Sequence, residues 1–266
     1  MSVVDRSFIL YPVQARDTLY SIATGLGSQI PLIERANALY PPFTEPDLIY
    51  PGQMLVVPVF HDNQVNQIIS RGDTLYQIAR DYYTNIDILQ GLNPEIQHPN
   101  FIYIGQVLRV PGFIYEVEQG DTLNSISQQF GYTLTTLLQA NRRRPGLSAD
   151  VIVPGYQLVI PYPSSTNILV MRPFPGAKVR SGQTLSGYAR AFEGSILYQV
   201  LDSSGRTIIP ETAVQTSAGG PSYGTFSVAM SFEQEPPASS GEIWVYTRSA
   251  KDGSVQDLVK IQVRFH

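Results

Sequence analysis

Ile69-Ser-Arg-Gly-Asp-Thr-Leu-Tyr-Gln-Ile-Ala79 is the stretch of sequence that decides the fold of this chain. It predicts a sharp turn at Gly72-Asp73 that leads directly into a helix. Asp73 is expected to accept hydrogen bonds from the free N–H groups of the first helical turn, and Thr74 with Gln77 is a second capping signal. The apolar residues that follow are spaced as one face of a helix: Leu75, Ile78, Ala79 and Tyr82.

The same stretch occurs three times, with its other copies at residues 15–23 and 119–127. In each copy an Asn follows the Asp by 20 residues, and a later Gly is followed after six residues by a Pro. Only the gap between that Asn and that Gly varies, which predicts a surface loop there. The repeated positions are Asp17, Asn37, Gly52 and Pro58, then Asp73, Asn93, Gly105 and Pro111, then Asp121, Asn141, Gly155 and Pro161.

Each repeat is predicted to be an α+β unit in the order strand–helix–helix–strand. The two strands are expected to pair antiparallel with both helices on one face of the sheet. The Pro should end the closing strand, because it cannot continue a ladder of hydrogen bonds. The predicted opening strands are Ile9–Val13, Asn66–Ile69 and Ile114–Val117, and the predicted closing strands are Gln53–Val57, Gln106–Val110 and Gln157–Ile160.

The combination of Gly-Asp-Thr-Leu, an Ile-Ala pair, the Asn and a closing Gly-Gln-x-Leu-x-Val-Pro resembles the LysM module of bacterial cell-wall proteins. The middle repeat matches best and ends in Gly105-Gln-Val-Leu-Arg-Val-Pro111. The first repeat departs from the family at Arg16, where Gly is usual. The third departs at Tyr156, where Gln is usual, and at Ser127, where Ala is usual. The resemblance implies three tandem LysM modules.

After Asn167 the composition changes, and seven strand-like runs alternate with turn signals. Such a pattern predicts an all-β sandwich of immunoglobulin type. The stretch Ser186-Gly-Tyr-Ala-Arg-Ala-Phe-Glu-Gly194, with residues 248–253 later, resembles the immunoglobulin-like domain named from bacterial spore germination proteins (Gmad type). The predicted strands are Ile168–Arg172, Thr184–Ala191, Ile196–Leu201, Thr207–Thr212, Thr225–Phe232, Ile243–Arg248 and Asp257–Phe265.

These patterns predict a multidomain chain with modules at 8–59, 65–112 and 113–162 and a sandwich at 167–266. The six residues Val59–Gln64 should leave the first two modules some freedom. Only Gly112-Phe113 separates the second module from the third, so that pair should be restricted in orientation. Tyr162–Thr166 is polar and contains Pro, and is the clearest predicted domain boundary.

LysM relatives bind N-acetylglucosamine polymers in a shallow groove between the loop before the first helix and the loop before the closing strand. A glycan offers acetamides and flat ring faces, which need backbone polar groups and exposed apolar side chains, and Gly lets a ligand approach the backbone. The resemblance therefore implies glycan-binding residues in all three modules. They are Asp17, Thr18, Leu19, Ile49 and Tyr50; Gly72, Asp73, Thr74, Leu75, Phe101, Ile102, Tyr103 and Ile104; and Gly120, Asp121, Thr122, Leu123, Val151, Ile152 and Val153.

Purely structural roles compete with this interpretation at several positions. Asp73 and its counterparts are equally candidates for helix caps, and Leu75 is a candidate for the core. The Asn of each repeat is expected to end a helix or to bond the backbone. Tyr50 and Tyr103 are better binding candidates because loop tyrosines need not be buried. Arg16 should make the first module the weakest binder, since its side chain could crowd the groove.

Composition argues against several other classes of function. Without any Cys, the chain has no disulfide, zinc–thiolate site or thiol nucleophile. The charged fraction is only 15 % and the net charge −4, which argues against a nucleic-acid surface. Neither a signal peptide nor a membrane span is visible. The histidines, at 61, 98 and 266, have no metal-ligand spacing. No cofactor or metal is expected.

The sequence thus predicts a non-catalytic, multivalent binder of peptidoglycan or another N-acetylglucosamine polymer. It would anchor the protein to the bacterial cell wall or spore envelope. Acid pairs such as Glu116/Glu118 are interpreted as solvated surface rather than as the two carboxylates of a glycan hydrolase. The alternative is a structural assembly protein of the spore envelope that acts through protein contacts. The sandwich is a candidate site for a protein partner, and equally a spacer.

Overall fold

The computed structural model describes residues 2–41, 44–45, 48–60, 64–149, 151–234 and 236–265. Two compact units divide the chain. The first comprises Met1–Tyr83, Leu92–Gln128 and Tyr132–Pro161, and the second comprises Thr84–Gly91, Gln129–Gly131 and Tyr162–His266. The first unit holds most of the three repeats, and the second holds the sandwich.

Each repeat contains two helices between two strands, as the motif predicts, and a short strand precedes the first repeat. The N-terminal elements are β1 (Val3–Val4), β2 (Ser7–Pro12), α1 (Leu19–Leu26), α2 (Ile30–Asn37) and β3 (Met54–Val59). The second repeat contains β4 (Val65–Ile68), α3 (Leu75–Asp81), α4 (Ile86–Leu92) and β5 (Val107–Arg109). The third contains β6 (Gly112–Glu116), α5 (Leu123–Gln129), α6 (Leu134–Ala140) and β7 (Gln157–Pro161).

Opening and closing strands pair antiparallel in all three repeats, β2 with β3, β4 with β5 and β6 with β7, which confirms the prediction. The expected end of the closing strand at Pro58 is wrong, because β3 continues to Val59 and Pro58 lies opposite Phe8. β3 is the edge strand of its sheet, where the missing N–H of a Pro is tolerated.

The sheets also join repeats to one another. β2 pairs parallel with β4, so the first two repeats share a four-stranded sheet of order β3-β2-β4-β5. This pairing holds the two repeats side by side and overturns the expectation of freedom between them. Residues 61–63 of that linker lie outside the described residues. In the third repeat, β1 adds to β6 to give the order β1-β6-β7.

The first helix of each repeat is capped by Thr, not by Asp. The hydroxyl of Thr18 accepts from the Ser21 backbone N–H over 3.0 Å, and that of Thr74 accepts from the Gln77 N–H over 3.2 Å. The Asp carboxylates instead accept from the backbone N–H three residues earlier, for example Asp73 from Ser70 over 2.8 Å. The prediction that Asp73 caps the helix is therefore wrong, because its carboxylate bonds within the loop to Ser70, which lies before the left-handed Gly72.

That left-handed residue is Gly72 in the second repeat and Gly120 in the third, with φ of 86° and 90°. In the first repeat it is Arg16, with φ of 75°. A side chain in this conformation costs roughly 1–2 kcal/mol, which explains why Gly suits the position.

The repeated Asn ties the second helix of its module to the closing strand. Asn37 donates to the carbonyls of Ile33 and Val56 over 2.7 and 2.8 Å, and its side-chain oxygen accepts from the Val56 N–H over 2.9 Å. Asn141 makes the equivalent bonds to Leu137 and Val159. Asn93 exchanges both bonds with Arg109. The structural role expected for the Asn is confirmed.

The second unit is built around a β-sandwich that contains all seven predicted strands. One sheet has the order β12-β9-β8 and the other β11-β10-β13-β14, and their inward residues share one core. Helical segment 84–91 contacts the sandwich through an ion pair of 2.8 Å between Asp87 and Arg190. The strands are β8 (Ile168–Arg172), β9 (Gln183–Ala189), β10 (Ser195–Asp202), β11 (Thr207–Gln215), β12 (Gly224–Met230), β13 (Ser240–Arg248) and β14 (Val255–Arg264).

Candidate functional site

Two loops meet at the same end of each repeat. In the second repeat, the N–H of Gly105 donates to the carbonyl of Ile69 and the N–H of Ile69 donates to the carbonyl of Gln106, both over 2.9 Å. The corresponding bonds between Val13 and residues 52–53, and between Val117 and residues 155–156, have the same length of 2.9 Å. The loop before the first helix (the helix loop) and the loop before the closing strand (the strand loop) are therefore neighbours.

The second repeat presents the most apolar strand loop. Phe101, Tyr103 and Ile104 are 63 %, 69 % and 68 % exposed, while Ile102 is half-buried. In the helix loop Gly72 and Thr74 are exposed. Leu75 is buried in the core at 1 % exposure, as are Leu19 and Leu123 of the other repeats. These three leucines cannot contact a ligand from their present positions.

The first and third repeats differ at the strand loop. Tyr50 is 55 % exposed and Ile49 is half-buried in the first. In the third, Val151 is exposed and Ile152 half-buried, but Val153, the counterpart of Tyr50 and Tyr103, is buried. The helix-loop residues Thr18, Gly120 and Thr122 are exposed, whereas Asp17 and Asp121 are half-buried.

The side chain after the Gly differs between the repeats and accompanies the difference in the strand loop. The side-chain oxygens of Gln53 and Gln106 accept from the backbone N–H of Tyr50 and Tyr103 over 2.9 and 3.0 Å. Tyr156 occupies this position in the third repeat. It is buried, and its hydroxyl donates to the carbonyl of Pro145 over 2.9 Å. The loop of the third repeat is thus drawn inward.

Two further exposed tyrosines, which were not among the predicted site residues, lie at the start of the first helix. Tyr20 and Tyr76, which follow the buried Leu at the start of the first helix, are 70 % and 66 % exposed. The third repeat has Asn124 at this position. The signal was present in the sequence, because Tyr76 falls outside the i, i+3, i+4 face of its helix and had to point away from the core.

The Asp carboxylates of the helix loops are engaged within the protein. Tyr11 donates its hydroxyl to Asp17 over 2.9 Å, and Tyr115 donates to Asp121 over 2.7 Å. Burial, followed by the bond to Asp17, raises the pKa of Tyr11 to about 12. The side chain of Asp73 is only 6 % exposed and lies 3.7 Å from the guanidinium of Arg143. Among the predicted site residues of these helix loops, the exposed polar side chains are therefore those of Thr18, Thr74 and Thr122, and the neighbouring Arg16 and Arg71 are exposed as well.

The described residues offer little for metal or acid–base chemistry. Among them no group of three His, Asp or Glu side chains could hold a metal ion. His98 is exposed and contacts the Phe101 ring at a centroid distance of 4.8 Å, and His61 and His266 lie outside the described residues. No helix in the described part of the chain is both long and apolar enough to cross a membrane.

Comparison with protein families assigns both parts of the chain. The LysM domain model matches residues 11–58, 68–111 and 115–161. The model described as the immunoglobulin-like domain of bacterial spore germination matches residues 167–254. The predicted architecture of three LysM modules followed by this domain is confirmed.

Curated relatives match parts of the chain. An endolysin of Bacillus phage B103 is 35 % identical over 80 residues, which cover 28 % of this chain and 30 % of the endolysin. A putative sporulation-specific glycosylase, YdhD, of Bacillus subtilis (strain 168) is 33 % identical over 94 residues, which cover 35 % of this chain and 21 % of YdhD. The secreted LysM effector ECP6 of Passalora fulva is 26 % identical over 185 residues, covering 58 % of this chain and 78 % of ECP6. The chain thus spans less than a third of the first two relatives.

Proposed function

The chain belongs to the LysM family, and from that membership we propose that it is a non-catalytic, multivalent binder of glycans that contain N-acetylglucosamine, peptidoglycan above all. The single observation that carries the proposal is the exposure, in the first and second modules, of one tyrosine at the start of the first helix and one in the strand loop. Tyr20 with Tyr50, and Tyr76 with Tyr103, are each more than half exposed. Aromatic faces beside open backbone and Thr suit sugar rings that carry acetamides.

The predicted site residues enter the proposal with different roles. Gly72, Thr74, Phe101, Tyr103 and Ile104 are accessible and form the principal surface. Ile102 and the helix-loop carboxylates are half-buried and have a supporting role, because the carboxylates accept hydrogen bonds from loop N–H groups. The counterparts in the first module, Thr18, Ile49 and Tyr50, provide the second surface. In the third module the exposed predicted residues are Gly120, Thr122 and Val151, without a tyrosine. We therefore take the third module, and not the first with its Arg16, as the one least suited to stacking on a sugar ring.

Multivalency follows from the shared sheet. The parallel pairing of β2 with β4 holds two tyrosine-bearing modules in one arrangement, so the second binding event on a polymer is intramolecular. Linked modules of this kind gain roughly 10²–10⁴-fold in avidity when both sites can engage one chain. A long, repetitive polymer is the ligand that uses such an arrangement best, and we place the protein at the bacterial cell wall or spore envelope.

The second candidate function is structural assembly of the spore envelope through protein contacts. The match to the spore-germination domain over residues 167–254 favours it. Phe192, on the loop between β9 and β10 of that domain, is 89 % exposed and could anchor a protein partner. On this alternative, the LysM modules would serve as docking surfaces for proteins rather than for glycan.

Sedimentation with purified peptidoglycan tests the proposal against the alternative. Retention that N-acetylglucosamine oligomers compete away is expected, and retention that they do not affect would favour protein-type docking. Titration with a labelled oligomer should shift the amide resonances of residues 72–75 and 101–104 and of the first module's counterparts. Shifts confined to the sandwich would refute the site. Reducing sugars should not be released during incubation, and their release would refute the non-catalytic role.

A further inference from the structure

An open cleft of about 560 Å³ lies in the first unit, next to the loops of the third module. Residues 116–119 and 154–155 of the third module form one wall. The first module supplies Arg35 and Tyr40, and Ser2 closes the rim. A single LysM module could not form this cleft, because two modules contribute to it.

Charged groups distinguish the cleft from the tyrosine surfaces. Nη2 of Arg35 donates to Oε1 of Glu116 over 2.6 Å, and Gln157 donates to the second oxygen of that carboxylate over 3.1 Å. Glu116 is therefore held on both oxygens, with a side-chain exposure of 24 %. The prediction of a fully solvated Glu116 is corrected, since the ion pair with another module covers much of it.

The guanidinium of Arg35 has N–H groups that remain available to a ligand. Its side chain is 64 % exposed, and among the described residues its hydrogen bonds go to Glu116 alone. The guanidinium lies beside the backbone of Gly155, because a Cβ added to this Gly would be 3.6 Å from Nε of Arg35. Glu116 and Glu118 both line the cleft, but Glu116 is bonded to Arg35 and Gln157 and Glu118 accepts from the hydroxyl of Ser2. The remaining N–H groups of Arg35, at the edge of the cleft, are suited to a ligand carboxylate, which a guanidinium can bind through two parallel hydrogen bonds.

We propose that this cleft binds a carboxylate of the peptide carried by the glycan, with Arg35 as the carboxylate-binding residue. The inference rests on the proposed glycan binding and deepens it. Peptidoglycan sugars carry short peptides that end in free carboxylates, whereas chitin-type polymers carry none. The cleft therefore gives the array a preference for peptide-bearing glycan over neutral glycan.

A structural role for the ion pair is the competing explanation. Solvent-exposed ion pairs contribute little to stability, so the pair alone is a weak reason for an Arg at this position. The two explanations differ in what removal of Glu116 does. Glu116→Gln breaks the ion pair but leaves Arg35 with more free donors and less competing negative charge. If Arg35 binds ligand, this variant should bind a carboxylate at least as well as the original protein.

The experiment measures calorimetric binding of the full chain to two probes, an N-acetylglucosaminyl-N-acetylmuramyl tetrapeptide and tetra-N-acetylglucosamine. Arg35→Gln should weaken binding of the tetrapeptide probe roughly tenfold and leave the neutral oligomer unchanged. Arg80→Gln, which removes the same charge from an exposed site on α3, is the matched control and should change neither. Amidation of the probe's carboxylates should reproduce the effect of Arg35→Gln.

The possible results distinguish a failure of carboxylate binding from a failure of glycan binding. Equal weakening by Arg35→Gln and Glu116→Gln would show a structural ion pair and overturn the inference. So would unchanged tetrapeptide binding in Arg35→Gln while the neutral oligomer still binds. Failure of the original protein to bind either probe would overturn the proposed function, and the inference with it.

Discussion

The guanidinium of Arg144 donates from Nη2 to the side-chain oxygen of Asn37 over 3.0 Å, across 107 positions of the sequence. The same nitrogen donates to the carbonyl of Ala36 over 3.1 Å. The guanidinium also lies 4.9 Å from the ring centre of Tyr156. Asn37 of the first module thus also accepts a hydrogen bond from a buried Arg of the third module. This contact locks the first and third modules together.

Substitutions of Arg144 should separate the contribution of its buried charge to stability from the contribution of its packing. Among the residues that the structure describes, its Nε and Nη1 have no hydrogen-bond partner, and burial lowers its pKa. Arg144→Ala leaves a cavity and should reduce the free energy of unfolding of the first unit by about 3 kcal/mol. Arg144→Met fills most of that volume without buried charge, so it should cost less than about 1 kcal/mol. Hydrogen exchange of the β2 and β3 amides measures the loss of stability in both variants. Equal losses would show that the volume of the side chain does not decide the cost.

The pH dependence of stability should report on Asp81. Burial raises the pKa of this carboxyl above 3.8 and outweighs the opposing bonds from Gln139 and Arg142. Because the folded pKa lies above the unfolded one, the stability that Asp81 contributes is full below pH 3.8 and falls as the pH rises through the folded pKa. Asp81→Asn cannot titrate, so its stability relative to the original protein should rise over that window.

Urea unfolding of both proteins at closely spaced pH values measures this difference, followed by hydrogen exchange in the first unit. Glu95→Gln, which neutralises an exposed carboxyl of the same unit, is the matched control and should run parallel to the original protein. If the original protein instead gained stability relative to Asp81→Asn as the pH rises, the ion pair with Arg142 would lower the pKa of Asp81 by more than burial raises it.

The contrast between Asn37 and Arg144 also shows what the sequence could predict. The Asn recurs at a fixed distance from the Asp-Thr-Leu turn, so its role follows from the repeat. The three repeats, their strand order and the seven strands of the sandwich were predictable for the same reason, because each depends on local spacing. Arg144 lies in a run of three Arg residues that recurs nowhere else in the chain, and no local pattern indicates burial.

The same distinction applies to the contacts that join modules. The parallel pairing of β2 with β4 and the addition of β1 to β6 depend on how finished modules pack, which alternation within a strand does not encode. The ion pair of Arg35 with Glu116 is likewise long-range. Exposure of Tyr76, in contrast, could have been derived from helical periodicity. Which side chains form a composite surface was therefore beyond the sequence, whereas which side chains leave the core was not.

Gly187 should be the least replaceable position in the sandwich. A Cβ at this site would lie 2.0 Å from the carbonyl oxygen of Leu169 and 2.8 Å from the Phe226 ring. Since neither the β8 backbone nor a buried ring can move away cheaply, Gly187→Ala should destabilise the second unit by about 3 kcal/mol. Fluorescence of Trp244, the only Trp in the chain, reports unfolding of this unit. Ser227→Ala on neighbouring β12 is exposed and should change it by less than about 0.5 kcal/mol.

The exposed tyrosines should divide the three modules by function. Tyr76→Ala and Tyr103→Ala each remove an aromatic face that is more than 60 % exposed, so each should weaken binding of an N-acetylglucosamine oligomer several-fold without loss of stability. Tyr20→Ala and Tyr50→Ala should act in the same way in the first module. Because two linked sites share a polymer, combining Tyr76→Ala with Tyr20→Ala should reduce retention on peptidoglycan far more than either change alone.

The third module provides the matched control. Asn124→Ala changes the position equivalent to Tyr76 and, with no tyrosine in the strand loop beside it, should leave oligomer affinity unchanged. Calorimetric titration of each single variant gives the affinities, and sedimentation of the double variant gives the avidity. A larger loss from Asn124→Ala than from Tyr76→Ala would place the principal site in the third module and contradict the assignment. Conversely, Asn124→Tyr should strengthen oligomer binding, because it adds the missing aromatic face next to Gly120 and Thr122.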